Sequence, residues 1–78
     1  MAVLRLFAGA RDAAGTGRVE LADGTVGQII DEACDRYGAD FAAVVRTSRI
    51  WVNGEPAERD VPVGAEDEVA VLPPVSGG

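Results

Sequence analysis

The chain has 78 residues and a net charge of −6, from 7 basic and 13 acidic side chains, which is the size of one small domain. It contains no histidine and no lysine, and Cys34 is its single cysteine, which excludes imidazole and lysine catalysis, an internal disulfide and a cysteine-rich metal site. The acidic balance disfavours nucleic acid and anionic lipid and favours a basic protein partner.

The first half of the sequence predicts two strands followed by an amphipathic helix. Alternating apolar residues predict a strand over Ala2–Ala8 with Leu4 and Leu6 inward, and a second strand covers Arg18–Leu21. The alanine- and glycine-rich segment 9–17 allows at most a short helical turn between them.

The helix begins at Thr25-Val26-Gly27-Gln28, which matches a capping box. An apolar stripe then repeats at helical spacing and ends at Gly38, a natural left-handed stop. The stripe consists of Val26, Ile29, Ile30, Ala33 and Tyr37.

The second half predicts three further strands. A short helix over Phe41–Arg46 precedes a strand at Arg49–Asn53, and Asn53-Gly54 favours a tight hairpin turn. The return strand Glu55–Ala57 contains Pro56 and is therefore expected at a sheet edge. A loop over Val61–Gly64 then leads to a last strand at Glu68–Leu72, with Val69 and Val71 inward.

This order of elements predicts an α+β domain over residues 1–72 with the β-grasp architecture of ubiquitin. We expect a mixed sheet of about five strands, with one main helix packed across one face. We expect residues 73–78 to form an extended, flexible C-terminal tail, because Pro73 and Pro74 prevent the last strand from continuing. Gly77 and Gly78 lack Cβ atoms and can thread a narrow channel. The alternative reading of this end is a frayed terminus.

Two segments, Phe7–Gly15 near the start of the chain and Asp67–Gly78 at its end, resemble segments of the small ubiquitin-like sulfur carriers of the MoaD/ThiS superfamily, most closely the small subunit of molybdopterin synthase. The segment Phe7–Gly15 is similar to the opening Phe-Ala-x-x-Arg-Glu-x-x-Gly, and Asp67–Gly78 is similar to the closing motif of the family. Asp12 stands where glutamate is usual in this family, and Glu66 stands where glycine is usual.

The resemblance implies that Gly78 is the reacting residue. A ubiquitin-activating-type adenylyltransferase would adenylate its carboxylate with ATP, and a persulfide donor would then leave a thiocarboxylate, a covalent 1-thioglycine. The sulfur would form the dithiolene of molybdopterin inside the large synthase subunit, which would supply the catalytic side chains. This chain would be a non-catalytic subunit and co-substrate that binds no cofactor and no metal.

Strand parity predicts a docking surface beside the tail. Phe7, Trp51 and Leu72 each lie opposite the inward residues of their strands, and the predicted sheet order gathers them where the tail leaves. We expect these residues, together with the tail, to contact the partner. The tail positions are Pro73, Pro74, Val75, Ser76 and Gly77.

Two alternatives remain: a related carrier for thiamine thiazole or cysteine synthesis, and a ubiquitin-like module that binds or is conjugated to other proteins. Cys34 is predicted to be an inert, semi-buried small hydrophobe. Glu66-Asp67-Glu68 is either a polar turn or a contact for basic partner residues. Because a basic, apolar leader and a long apolar segment are both missing, we expect a cytoplasmic protein without membrane association.

Overall fold

A computed structural model describes residues 1–74, which fold into seven strands and three helices. The elements in chain order are β1 (Ala2–Leu6), α1 (Ala8–Ala14), β2 (Arg18–Leu21), β3 (Gly24–Thr25), α2 (Val26–Tyr37), α3 (Ala39–Arg46), β4 (Arg49–Val52), β5 (Glu55–Pro56), β6 (Pro62–Val63) and β7 (Glu68–Leu72).

Five strands form one mixed sheet in the order β2-β1-β7-β4-β5. The strands β1 and β7 are parallel, whereas β1–β2, β4–β7 and β4–β5 are antiparallel pairs. The last strand, β7, therefore lies at the centre of the sheet. This is the predicted β-grasp arrangement, including the edge position of Pro56.

One face of this sheet is buried under the helices. Leu4, Val69 and Val71 are fully buried on it, and α1, α2 and α3 contribute Ala10, Ile29 and Phe41 to the same cluster. The buried residues are Ala2, Leu4, Leu6, Ala10, Leu21, Val26, Ile29, Ile30, Ala33, Phe41, Val63, Val69 and Val71. None of the described residues that are buried as a whole is polar or charged, so apolar burial dominates this core.

The predicted capping box at α2 is confirmed. The Gln28 amide donates to the Thr25 hydroxyl at 3.2 Å, and the Gln28 side chain accepts from the Thr25 amide at 2.8 Å. The next two helical amides, of Val26 and Gly27, donate to the carbonyls of Val61 and Arg59. Together these bonds satisfy the donors that a helix start leaves open.

Two predictions about irregular segments were wrong. The expected loop at Val61–Gly64 contains β6, which pairs with β3, because this segment supplies the carbonyl that caps Val26. The expected short turn near residue 10 is the seven-residue helix α1, since alanine is the strongest helix former and Gly15 ends the helix at φ +77°.

Gly38 ends α2 with φ +95° and ψ −170°. The predicted positive φ is therefore present, but the left-handed helical conformation is not. An extended ψ redirects the chain at once into α3, whose Ala42 amide donates to the Gly38 carbonyl at 3.1 Å. Gly38 thus links two helices and does not lead into a loop.

The two turns beside the last strand also follow from the sequence. Asn53 and Gly54 have φ values of +51° and +85°, as the predicted tight hairpin turn requires. The turn at Glu66 is closed by the Asp67 amide, which donates to the Gly64 carbonyl at 3.0 Å. Glu66 has no positive φ, so the glycine usual in the family is not needed there.

Candidate functional site

Residues 1–74 form no ligand-sized pocket and no group of three or more side chains suited to a metal ion. No helix in this part of the chain is long and apolar enough to cross a bilayer. The features that remain are the surface of the sheet and the place where the chain leaves it.

The chain leaves the sheet from its central strand. Leu72 is the last residue of β7, and it is followed by a half-buried Pro73 and an exposed Pro74. Neither proline has an amide to extend the ladder. The predicted tail residues Val75, Ser76, Gly77 and Gly78 lie outside the described residues, and so does the predicted extension of the tail.

The sheet face away from the helices, which we call the outer face, carries rows of cross-strand partners. In the row nearest the tail, Leu72 pairs with Arg49. In the next row, Ala70 lies between Arg5 and Trp51. Because paired residues share one face of a sheet, the register places all these side chains together on the outer face.

The three apolar residues predicted for docking lie on this face or at its end. Trp51 is half-buried opposite Ala70, which puts it diagonal to a half-buried Leu72. Phe7 follows β1 directly and is 40% exposed, and the Arg5 guanidinium lies 5.9 Å from its ring centroid. Trp51 and Leu72 are thus less open to solvent than Phe7.

Sequence reasoning missed the arginines of the outer face. The net charge of −6 gives no sign of them, but Arg5 pairs in register with Arg18, and Arg49 lies across from Leu72. The missing signal was the strand register, which sequence spacing does not give. One row further from the tail the sign reverses, because Val3 lies between Glu20 and Glu68.

Weak ion pairs join the two signs of charge on this face. Arg5 lies 3.6 Å from Glu68, and Arg18 lies 3.5 Å from Glu20, with side chains that are 41% to 57% exposed. Pairs of this length and exposure contribute little to stability. The arginines therefore keep most of their capacity to bind another carboxylate.

The acidic segment before β7 holds two turns together. The Asp67 carboxylate accepts hydrogen bonds from the Asn53 side chain at 2.8 Å and from the Gly64 amide at 2.9 Å. These bonds hold the pKa of Asp67 below its ordinary value. Asp67 is thus a structural acceptor, which favours the polar-turn interpretation for this residue.

Cys34 has the environment predicted for it. The side chain is half-buried on α2 and packs against the core. Burial, and then the negative charges of Asp31 and Asp35, raise the pKa of its thiol. A raised pKa keeps the thiol protonated and unreactive.

A comparison with models of protein families assigns the chain to one family. The ThiS family model matches residues 4–78, which is nearly the whole length. The chain belongs to the ThiS family, within the MoaD/ThiS superfamily of ubiquitin-like sulfur carriers. A comparison with curated proteins returns no significant match.

Solved structures agree with this assignment. Small archaeal modifier protein 1 (SAMP1) of Haloferax volcanii is 32% identical, with a TM-score of 0.81 over 99% of this chain and 98% of that one. The putative molybdopterin converting factor subunit 1 of Pyrococcus furiosus is 29% identical, with a TM-score of 0.78 over 95% and 97%. A chain of the BexX/CysO complex of Amycolatopsis orientalis is 26% identical, with a TM-score of 0.82 over the full length of both.

Proposed function

We propose that this protein is a sulfur carrier for molybdenum cofactor biosynthesis and acts as the small subunit of molybdopterin synthase. An ionised carboxylate is a poor electrophile, so Gly78 must first attack the α-phosphate of ATP on a ubiquitin-activating-type enzyme and release pyrophosphate. A persulfide sulfur then attacks the acyl carbon and AMP leaves. Cleavage of the sulfur–sulfur bond by a thiol gives the thiocarboxylate that donates sulfur to the pterin precursor.

The observation that carries this proposal is the exit of the chain from the central strand. The ThiS match continues through residue 78, and β7 ends at Leu72 with two prolines that cannot rejoin the sheet. Six residues from Pro73 to Gly78 reach about 20 Å when extended. That length lets Gly78 enter a partner's active site while the folded domain remains outside.

The pathway is tested by reconstitution. The protein is purified from cells with and without the adenylating enzyme, and its intact mass is measured. We expect the mass change of an oxygen-to-sulfur exchange at Gly78 only in protein from cells that contain the adenylating enzyme. The thiocarboxylated protein, mixed with the large subunit and the cyclic pterin precursor, should then yield the dithiolene. A thiocarboxylated protein that leaves the precursor unchanged would contradict the molybdopterin assignment and favour the thiazole or cysteine pathways.

The apolar residues of the outer face give a separate test of docking. We expect Trp51→Ala and Phe7→Ala to weaken binding to the large subunit by about tenfold each, because buried aromatic anchors dominate interface energies. Titration calorimetry measures the affinity, and circular dichroism checks that each variant is folded. Folded variants with unchanged affinity would show that these side chains are not anchors.

A second candidate, a ubiquitin-like protein modifier, is favoured by the 32% identity to SAMP1. A modifier would form an amide between Gly78 and a lysine of another protein. Mass spectrometry of tryptic peptides from cells distinguishes the two functions, since conjugation leaves the last tryptic peptide of this chain, residues 60–78, on target lysines. Such conjugated peptides, without any thiocarboxylate in the free protein, would replace the carrier proposal with this one.

A further inference from the structure

The charge on the outer face indicates which groups the adenylating enzyme presents to this protein. We propose that the adenylating enzyme meets this face with a carboxylate-bearing rim, which pairs with Arg5, Arg18 and Arg49 around the apolar centre formed by Trp51 and Leu72. This inference rests on the proposed function and extends it. The adenylating enzyme is the chosen partner because every carrier pathway, and conjugation too, requires activation of Gly78.

The local charge is opposite to the global one. The chain has a net charge of −6, which taken alone predicts a basic partner. At the tail end of the outer face, however, Arg5, Arg18 and Arg49 occupy two adjacent rows of the sheet. Short-range contacts respond to these nearby charges, because solvent and salt screen the rest of the molecule beyond about 8–10 Å.

The arginines also have unused donors. Arg49 is exposed and makes no ion pair with any residue in the part of the chain described. The Nε atom of Arg5 is buried and has no hydrogen-bond partner there. Arg49 can therefore bind a partner's carboxylate without first breaking an ion pair, whereas the buried Nε of Arg5 is closed off by this chain's own atoms and is not offered to a partner.

The sign of the charge on the outer face reverses along β7, and this favours one orientation of the bound enzyme. Moving away from the tail, the outer face passes from Arg5 and Ala70 to Glu68. A carboxylate rim is therefore attracted by the arginines at the tail end and repelled by the glutamates one row further along. Such an arrangement favours the single orientation in which the mouth of the active site faces the tail.

Two double variants with the same net charge test the proposal. Arg18→Glu/Arg49→Glu changes the outer face, and Arg36→Glu/Arg46→Glu changes exposed arginines on α2 and α3. Each Arg→Glu substitution changes the charge by −2, so both variants go from −6 to −10. The probe is the cognate ubiquitin-activating-type enzyme with ATP, and ATP–pyrophosphate exchange is measured over a range of salt concentrations.

We expect the outer-face variant to raise KM for the carrier by about tenfold at low salt, with kcat unchanged, because close interfacial charges act on encounter and affinity. The KM of the helix variant should stay within about twofold of the parent value, since the two arginines that it changes lie outside the outer face. Arg18→Gln/Arg49→Gln serves if the glutamate variant does not fold, and should show a smaller increase in the same direction.

The outcomes separate the two proposals. Equal KM values for the parent and the outer-face variants, with normal exchange, would overturn the carboxylate rim and leave the carrier function intact. An equal rise in both double variants would also overturn it, because net charge alone would then explain the effect. Absence of exchange with the parent protein would remove the proposed function and this inference together.

Discussion

The two faces of the sheet use the same strands for different purposes. On β1 and β7, Leu4, Leu6, Val69 and Val71 are at most 2% exposed under the helices. Their immediate neighbours Arg5 and Ala70 lie on the outer face, half-buried and without a helix over them in the described part of the chain. Alternation along a strand thus separates the residues that hold the fold from those available to a partner.

The largest contrast between the faces is expected from two phenylalanines. Phe41 is 0% exposed in the core and packs against Tyr37 with ring centroids 5.2 Å apart, whereas Phe7 is 40% exposed at the end of the outer face. We expect Phe41→Ala to lower the free energy of unfolding by about 3–5 kcal/mol. Phe7→Ala should lower it by less than about 1 kcal/mol.

Urea denaturation at neutral pH measures both changes on the same scale. A domain of this size has a total stability on the order of 4–12 kcal/mol, so the loss expected for Phe41→Ala is about a quarter or more of the total. Losses of similar size in the two variants would mean that Phe7 belongs to the core, and the separation of the two faces would not hold.

The inner face and the apolar residues of the outer face were largely predictable, and the arginine rows of the outer face were not. Periodicity alone indicated that Leu4, Leu6, Val69 and Val71 point inward, because apolar alternation reports burial directly. The arginine rows required the parallel register of β1 with β7. Register depends on contacts between residues more than 60 positions apart, and single-sequence patterns contain no such information.

The same reasoning explains the errors in the connections. The capping box at Thr25 is a local motif and could be found from four residues. The pairing of β3 with β6 joins residues 24–25 to 62–63, and nothing in Val61-Pro62-Val63-Gly64 alone distinguishes a two-residue strand from a loop. The chemistry proposed for the tail rests on the resemblance of the closing motif and not on the sheet.

A smaller effect is expected where α2 is anchored over the inner face. Thr25→Ala removes the hydroxyl that accepts from the Gln28 amide and should lower the free energy of unfolding by about 1 kcal/mol. Thr47→Ala is the matched control, because this hydroxyl donates to the Val44 carbonyl at the end of α3 and caps no helix start. Thermal and urea unfolding should rank Thr25→Ala as clearly more destabilising, and the opposite ranking would contradict the role assigned to the cap.

The smallest predicted effect concerns the end of β7 that is farthest from the tail, and it depends on pH. The Asn53 side chain and the Gly64 amide donate to the Asp67 carboxylate and hold its pKa below the ordinary value of 3.8. A carboxyl with a lowered pKa in the folded state stabilises the protein at pH values above the unfolded pKa. That contribution is lost as the pH falls below 3.8 through the folded pKa, because protonation removes the acceptor.

Asp67→Asn should therefore lower the free energy of unfolding at pH 7, and its difference from the parent should shrink as the pH is lowered toward 3. Urea unfolding at several pH values measures this difference. Asp12→Asn is the control, since Asp12 is exposed on α1 and accepts no side-chain hydrogen bond within residues 1–74. A constant difference between Asp67→Asn and the parent from pH 7 to 3 would show that the carboxylate charge is not what ties the Asn53 turn to the start of β7.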